Sequence, residues 1–100
     1  MSKRHLPTDR KAAILDIALV LARSIGYKHV TREAIGERVG CAPSLISAYW
    51  GTMPQMRRAI MSAAVARRDL AVIAQGLTSG DSKAKTAPAD VKREALERLL

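Results

Sequence analysis

Apolar residues in this chain recur at steps of three and four, and the runs are broken by glycine, proline and small hydroxyl residues. That period lays one apolar stripe along a helix, and the two-residue alternation of a half-buried strand does not replace it anywhere. The pattern predicts an all-α fold of short helices without internal repeats. A chain of 100 residues has room for one small domain, or a domain and a tail, and this excludes a multi-domain enzyme. Aromatic residues make up 3% of the chain and Phe is absent, so the core must be built from Ala, Leu, Ile, Val and Met. Such a core is thin for one chain and favours packing against a partner.

The breaks locate the helices. Residues 1–8 carry Lys3 and Arg4 without apolar periodicity and read as a flexible basic arm. Ile14, Ile17, Ala18, Leu21, Ala22 and Ile25 mark a first helix over about 9–25, started by Thr8 or Asp9 and ended at Gly26. Thr31 is a capping residue, Glu33 suits the positive end of a helix dipole, and Ala34, Ile35 and Val39 share a face, which predicts a second helix over 32–39. A three-residue turn, 40–42, leads to Pro43, suited to a first helical position, and Leu45, Ile46, Tyr49 and Trp50 continue at helical spacing over 43–50. From Pro54 the stripe Met56, Ile60, Ala63, Ala64, Leu70 and Ala74 predicts one long helix over 54–75. Residues 76–88 are small and polar, the composition of a linker, and Asp90 can cap a last helix within 89–100 that carries Val91, Ala95, Leu96, Leu99 and Leu100.

Net charge is +8, and residues 1–68 hold all of the excess, with 12 Lys and Arg against 4 Asp and Glu. This asymmetry points to an acidic polymer or an acidic membrane surface as the partner of the first two thirds. The longest apolar run, near Ala18 to Ala22, is far short of the ~18 residues that span a bilayer. With one cysteine, Cys41, and no basic-then-apolar leader, the chain is expected in a bacterial cytoplasm, on the nucleoid when bound to DNA. Cys41 reads as a small hydrophobe, and His5 and His29 lack neighbouring ligands for a metal site. No nucleophile elbow, phosphate-cradling glycine loop or paired-carboxylate constellation occurs, so no enzymatic activity is expected.

Two helices joined by a short glycine-containing turn have helix-turn-helix spacing, in which the second helix can enter a major groove ~12 Å wide. The series Gly26-Tyr27, Thr31, Ile35, Gly40, Ile46, Trp50, Met56 and Ala59 resembles the DNA-binding region of the tetracycline-repressor (TetR) family of transcriptional regulators over roughly residues 9–62. The resemblance implies a helix-turn-helix within a small helical bundle over 9–53, supported by the helix at 54–75. It makes Gly40 the turn glycine, Ile46 the buried aliphatic of the recognition helix and Trp50 the aromatic that closes the core. The chain departs from the family pattern at Ala42, Ser47 and Met53, where a capping Ser or Thr, a Tyr and a phosphate-binding Lys are frequent. Family members normally continue into a helical effector-binding domain, whereas only 25 residues follow Gln75 here. Neither a small-molecule ligand nor a cofactor is therefore expected.

The expected DNA-binding residues are Lys28, Thr31 and Arg32, with Pro43, Ser44, Leu45, Ser47, Ala48 and Tyr49 on the third helix. That helix has no Arg, Lys, Asn or Gln, which removes the bidentate guanine and adenine contacts that dominate direct readout. Readout falls to hydroxyls, apolar contact with thymine methyls, and Arg32 entering from the second helix, while Lys28 and the arm meet phosphate. Trp50 takes the buried position four residues after Ile46, leaving Tyr49 to point outward. Candidate dimer surfaces are the late part of the long helix, with Leu70, Val72, Ile73 and Ala74, and the last helix, with Val91, Leu96, Leu99 and Leu100. The favoured function is a homodimeric repressor on a palindromic operator in double-stranded DNA. The alternatives are a small protein-interaction adaptor using the long and last helices, and a membrane-binding basic helix.

Overall fold

The computed structural model describes residues 7–100, so the arm residues Lys3 and Arg4 lie outside the described residues. Six α-helices follow one another: α1 (Pro7–Ile25), α2 (Arg32–Val39), α3 (Pro43–Trp50), α4 (Met53–Arg67), α5 (Leu70–Ser79) and α6 (Ala89–Glu97). Two 3-10 turns, Tyr27–His29 and Ala84–Thr86, lie between them, and there is no strand among the described residues. The fold is all-α. α2 and α3 fall where the apolar spacing and the caps place them, and α1 ends at Ile25 as expected but starts at Pro7, so Thr8 and Asp9 lie within its first turn rather than capping it.

One core holds the helices together. It takes Ile14, Ala18 and Ala22 from α1, Ile35 from α2, Ile46 from α3, Met56, Ile60 and Met61 from α4, Val72 and Ile73 from α5, and Val91 and Ala95 from α6. The expected long helix over 54–75 is instead two helices. Arg68 adopts the left-handed conformation with φ 57°, which costs a non-glycine residue roughly 1–2 kcal/mol. Asp69 offsets this by starting a new helix: its carboxylate accepts the Val72 N–H at 3.3 Å and pairs with the Arg23 guanidinium on α1. A continuous stripe through residue 74 hides the break, because both helices bury the same apolar face.

Residues 76–88 are not a linker. Gly76 completes the inner face of α5, where an added Cβ would stand 2.6 Å from the Ala84 Cβ, so the small residue lets the following turn close onto the helix. Ala84 and Ala87 are buried. Asp81 accepts the backbone N–H groups of Lys83 at 2.8 Å and Ala84 at 3.1 Å, the local capping that makes Asp common in turns. Its second oxygen accepts the Tyr27 hydroxyl at 2.9 Å. Small polar residues here serve close packing and turn closure, and α6 folds back onto α5 rather than extending as a tail.

Tyr27 ties the two halves of the chain. Its backbone N–H donates to Gln75 Oε1 at 2.8 Å, and Gln75 Nε2 in turn donates to the Ala22 carbonyl at 2.9 Å. Burial, reinforced by the Asp81 carboxylate, raises the phenol above its ordinary 10.0. The folded chain thus holds this proton more tightly than the unfolded chain does. The stabilisation is complete below pH 10.0 and is lost as pH rises through the folded-state value. Urea midpoints measured on either side of that pH should drop less in Tyr27→Phe than in the wild type; an equal drop would place the alkaline sensitivity elsewhere.

Candidate nucleic-acid interface

The pair α2 and α3 is built by backbone capping. Thr31 Oγ1 accepts the Ala34 N–H at 3.1 Å, and α2 ends at Gly40 with φ 85°. The Gly36 carbonyl accepts the N–H groups of both Gly40 at 2.7 Å and Cys41 at 3.0 Å, which folds the turn back over the helix. A Cβ on Gly36 would stand 2.6 Å from the Cys41 carbonyl oxygen. This backbone contact cannot move aside, so only glycine fits. Pro43 then opens α3 without needing an N–H partner, and Ile46 and Ile35 bury the facing sides of the two helices.

On the outside of α3, Pro43, Ser44 and Ala48 are exposed and Leu45, Ser47 and Tyr49 half-buried. Residues 44, 47 and 48 share one stripe of the helix, since side chains three and four apart are neighbours on its surface. Tyr49 departs from expectation. It packs against the edge of the core rather than standing free, and with Lys11, Trp50, Gln55 and Arg58 it borders a shallow cleft between α1, α3 and α4. Trp50 also differs from the fully buried residue expected: it is half-buried, donating Nε1–H to the Lys11 carbonyl at 3.1 Å under the Lys11 ammonium, 4.7 Å from the ring centre. The reason is the same for both. Ile46 already fills the space between α2 and α3, so the two aromatics are left to seal the rim against α1 and α4.

Charge is divided across the turn. Glu33 and Glu37 line the groove beside Gly40 to Pro43, whereas Lys28, Arg57, Arg58 and Lys83 meet on another flank in a cleft of about 540 Å³. Lys28 is exposed at the 3-10 turn, and exposed Thr31 uses its hydroxyl oxygen as a cap, leaving its O–H free to donate. Arg32 is half-buried and its Nε is buried without a hydrogen-bond partner among the described residues. The spacing of the sequence names Lys28 and Arg32, but nothing in it brings Arg57 or Lys83 to the same place; tertiary folding does that.

Of the expected dimer residues, Ile73 is 0% exposed and belongs to the core of the single chain, as do Val72, Ala74 and Val91. They cannot also form a surface. Leu70 is half-buried, and Leu96 and Leu99 remain 47% and 57% exposed. Cys41 is half-buried at the turn. Among the described residues no helix is long and apolar enough to cross a membrane. Comparison with protein-family models, curated proteins and solved structures finds no match to the chain.

Proposed function

We propose that this chain is a sequence-specific DNA-binding repressor that acts as a homodimer on a palindromic operator in a bacterial cytoplasm. The carrying observation is the stripe of Ser44, Ser47 and Ala48 on the outer side of α3, held by the glycine turn that closes α2, in a chain whose cations Lys28, Arg57, Arg58 and Lys83 gather on one flank. Hydroxyls and a methyl group at these positions suit groove edges, where Ser can donate or accept and Ala can touch a thymine methyl. Thr31, Arg32 and Lys28, at the start of α2 and just before it, suit backbone phosphates that fix register. The helix-turn-helix spacing and the resemblance to the tetracycline-repressor family support the same reading. Repression follows by occlusion, once two such units hold neighbouring half-sites.

Selection of bound sites from random duplex DNA tests this reading and yields the operator; recovery of no enriched sequence would overturn it. On the selected site, Ser44→Ala and Ser47→Ala should each weaken binding roughly two- to twelve-fold, the worth of one hydrogen bond, while leaving random DNA unaffected. Lys28→Ala should weaken both alike. Equal losses on the two DNAs from all three variants would contradict these roles.

A further inference from the structure

The cleft between the Tyr27–His29 turn, the start of α4 and the Ala84–Thr86 turn contains four cations, and none of them forms an ion pair among the described residues. Lys28, Arg57, Arg58 and Lys83 line it, with Asp81 the one carboxylate among the lining residues. Asp81 is already occupied by the Tyr27 hydroxyl and two backbone N–H groups. The ion pairs among the described residues use Arg23, Arg67 and Arg68 instead. Arg57 is half-buried, and its Nε is buried and makes no hydrogen bond among the described residues, a cost that folding rarely leaves uncompensated. Like charges gathered in one cleft repel one another, and a tetrahedral oxyanion would relieve that repulsion.

We propose that this cleft binds a phosphate group, with Arg57 and Lys83 as its principal ligands and Lys28 at the mouth. Resting on the DNA-binding reading, the phosphate is a phosphodiester of the duplex next to the α3 contact; the same chemistry would hold a free phosphate anion. Lys83 thereby extends the DNA footprint to the far end of the chain, which the Tyr27–Asp81 hydrogen bond positions.

The test compares the wild type with Arg57→Gln/Lys83→Gln and with a control of equal charge change at the chain's last helix, Arg93→Gln on α6 with Arg98→Gln just after it. Affinity for a mixed-sequence duplex is measured across salt concentrations, and backbone amide shifts are followed while inorganic phosphate is added. Neither Arg57 nor Lys83 has a side-chain hydrogen bond or ion pair among the described residues, so the cleft variant should keep its fold by circular dichroism. The expected result is a loss on the order of 10- to 100-fold in the cleft variant and a salt slope smaller by about 1.8, with a lesser loss in the control. A cleft variant no weaker than the control would overturn the cleft while leaving DNA binding standing. If the duplex does not bind but inorganic phosphate shifts the amides around Arg57 and Lys83 in the wild type alone, the cleft is a free-phosphate site and the DNA-binding reading fails. If neither probe binds, both fall.

Discussion

Raising the salt concentration from ~50 to ~200 mM should weaken the complex with operator DNA by on the order of 10³–10⁵. Under the proposed function, the size of this effect follows from how little α3 has to offer as a recognition helix. α3 carries no charged side chain and no amide, so base contacts supply only a modest share of the affinity, and phosphate neutralisation must supply the rest. A dimer making roughly 6–10 phosphate contacts releases a comparable number of condensed counterions, and salt reverses that release. Residues 1–68 carry twelve cations against four carboxylates, enough per chain for half that number. The cations are also placed unevenly: Lys28, Arg57 and Arg58 gather on one flank, while Glu33 and Glu37 occupy the groove beside the turn. A duplex therefore has one electrostatically favoured way to lie. An affinity unchanged over this salt range would contradict the phosphate contacts.

The parts of this fold legible in the sequence are those governed by local chemistry. Thr31, Gly40 and Pro43 punctuate α2 and α3 because a cap, a left-handed residue and a first-turn proline each act within a few residues of chain. The same logic was available at Thr52 and Gln55, whose reciprocal capping box starts α4 one residue before Pro54, and at Asp69, a capping residue standing directly before Leu70. What is not legible depends on distant partners. Gly36 reads as a helix-weakening residue until the Cys41 carbonyl is seen against it. Residues 76–88 have a linker's composition, yet Gly76, Ala84 and Ala87 are small because helices and turns approach closely there. The cationic cleft joins residues 28, 57, 58 and 83, and no sequence window contains all four.

Ile73→Ala should destabilise the fold by about 2–5 kcal/mol, while Leu96→Ser/Leu99→Ser should leave folding stability within about 1 kcal/mol. In sequence the three residues look alike, aliphatic positions on helices in the last third of the chain. In the fold they are opposites. Ile73 is fully buried between α5 and its neighbours, together with Val72, Val91 and Ala95, and truncating it leaves a cavity that a core of small aliphatic residues has little means to refill. For a domain of this size such a loss is a large fraction of a total of roughly 5–15 kcal/mol. Leu96 and Leu99 keep about half of their surface in solvent, so their removal costs the single chain little. Any effect they have must arise between chains. Under the proposed function, two α3 helices ~34–36 Å apart on an operator require a twofold contact, for which half-buried Leu70, Leu96 on α6 and Leu99 just beyond it are the candidate apolar surface. Urea unfolding and sedimentation separate the two roles: Ile73→Ala should lower the unfolding midpoint, and the double Leu variant should sediment as a monomer with its helicity intact. A dimer that survives loss of both leucines would remove α6 from the interface, and an unchanged midpoint in Ile73→Ala would remove Ile73 from the core.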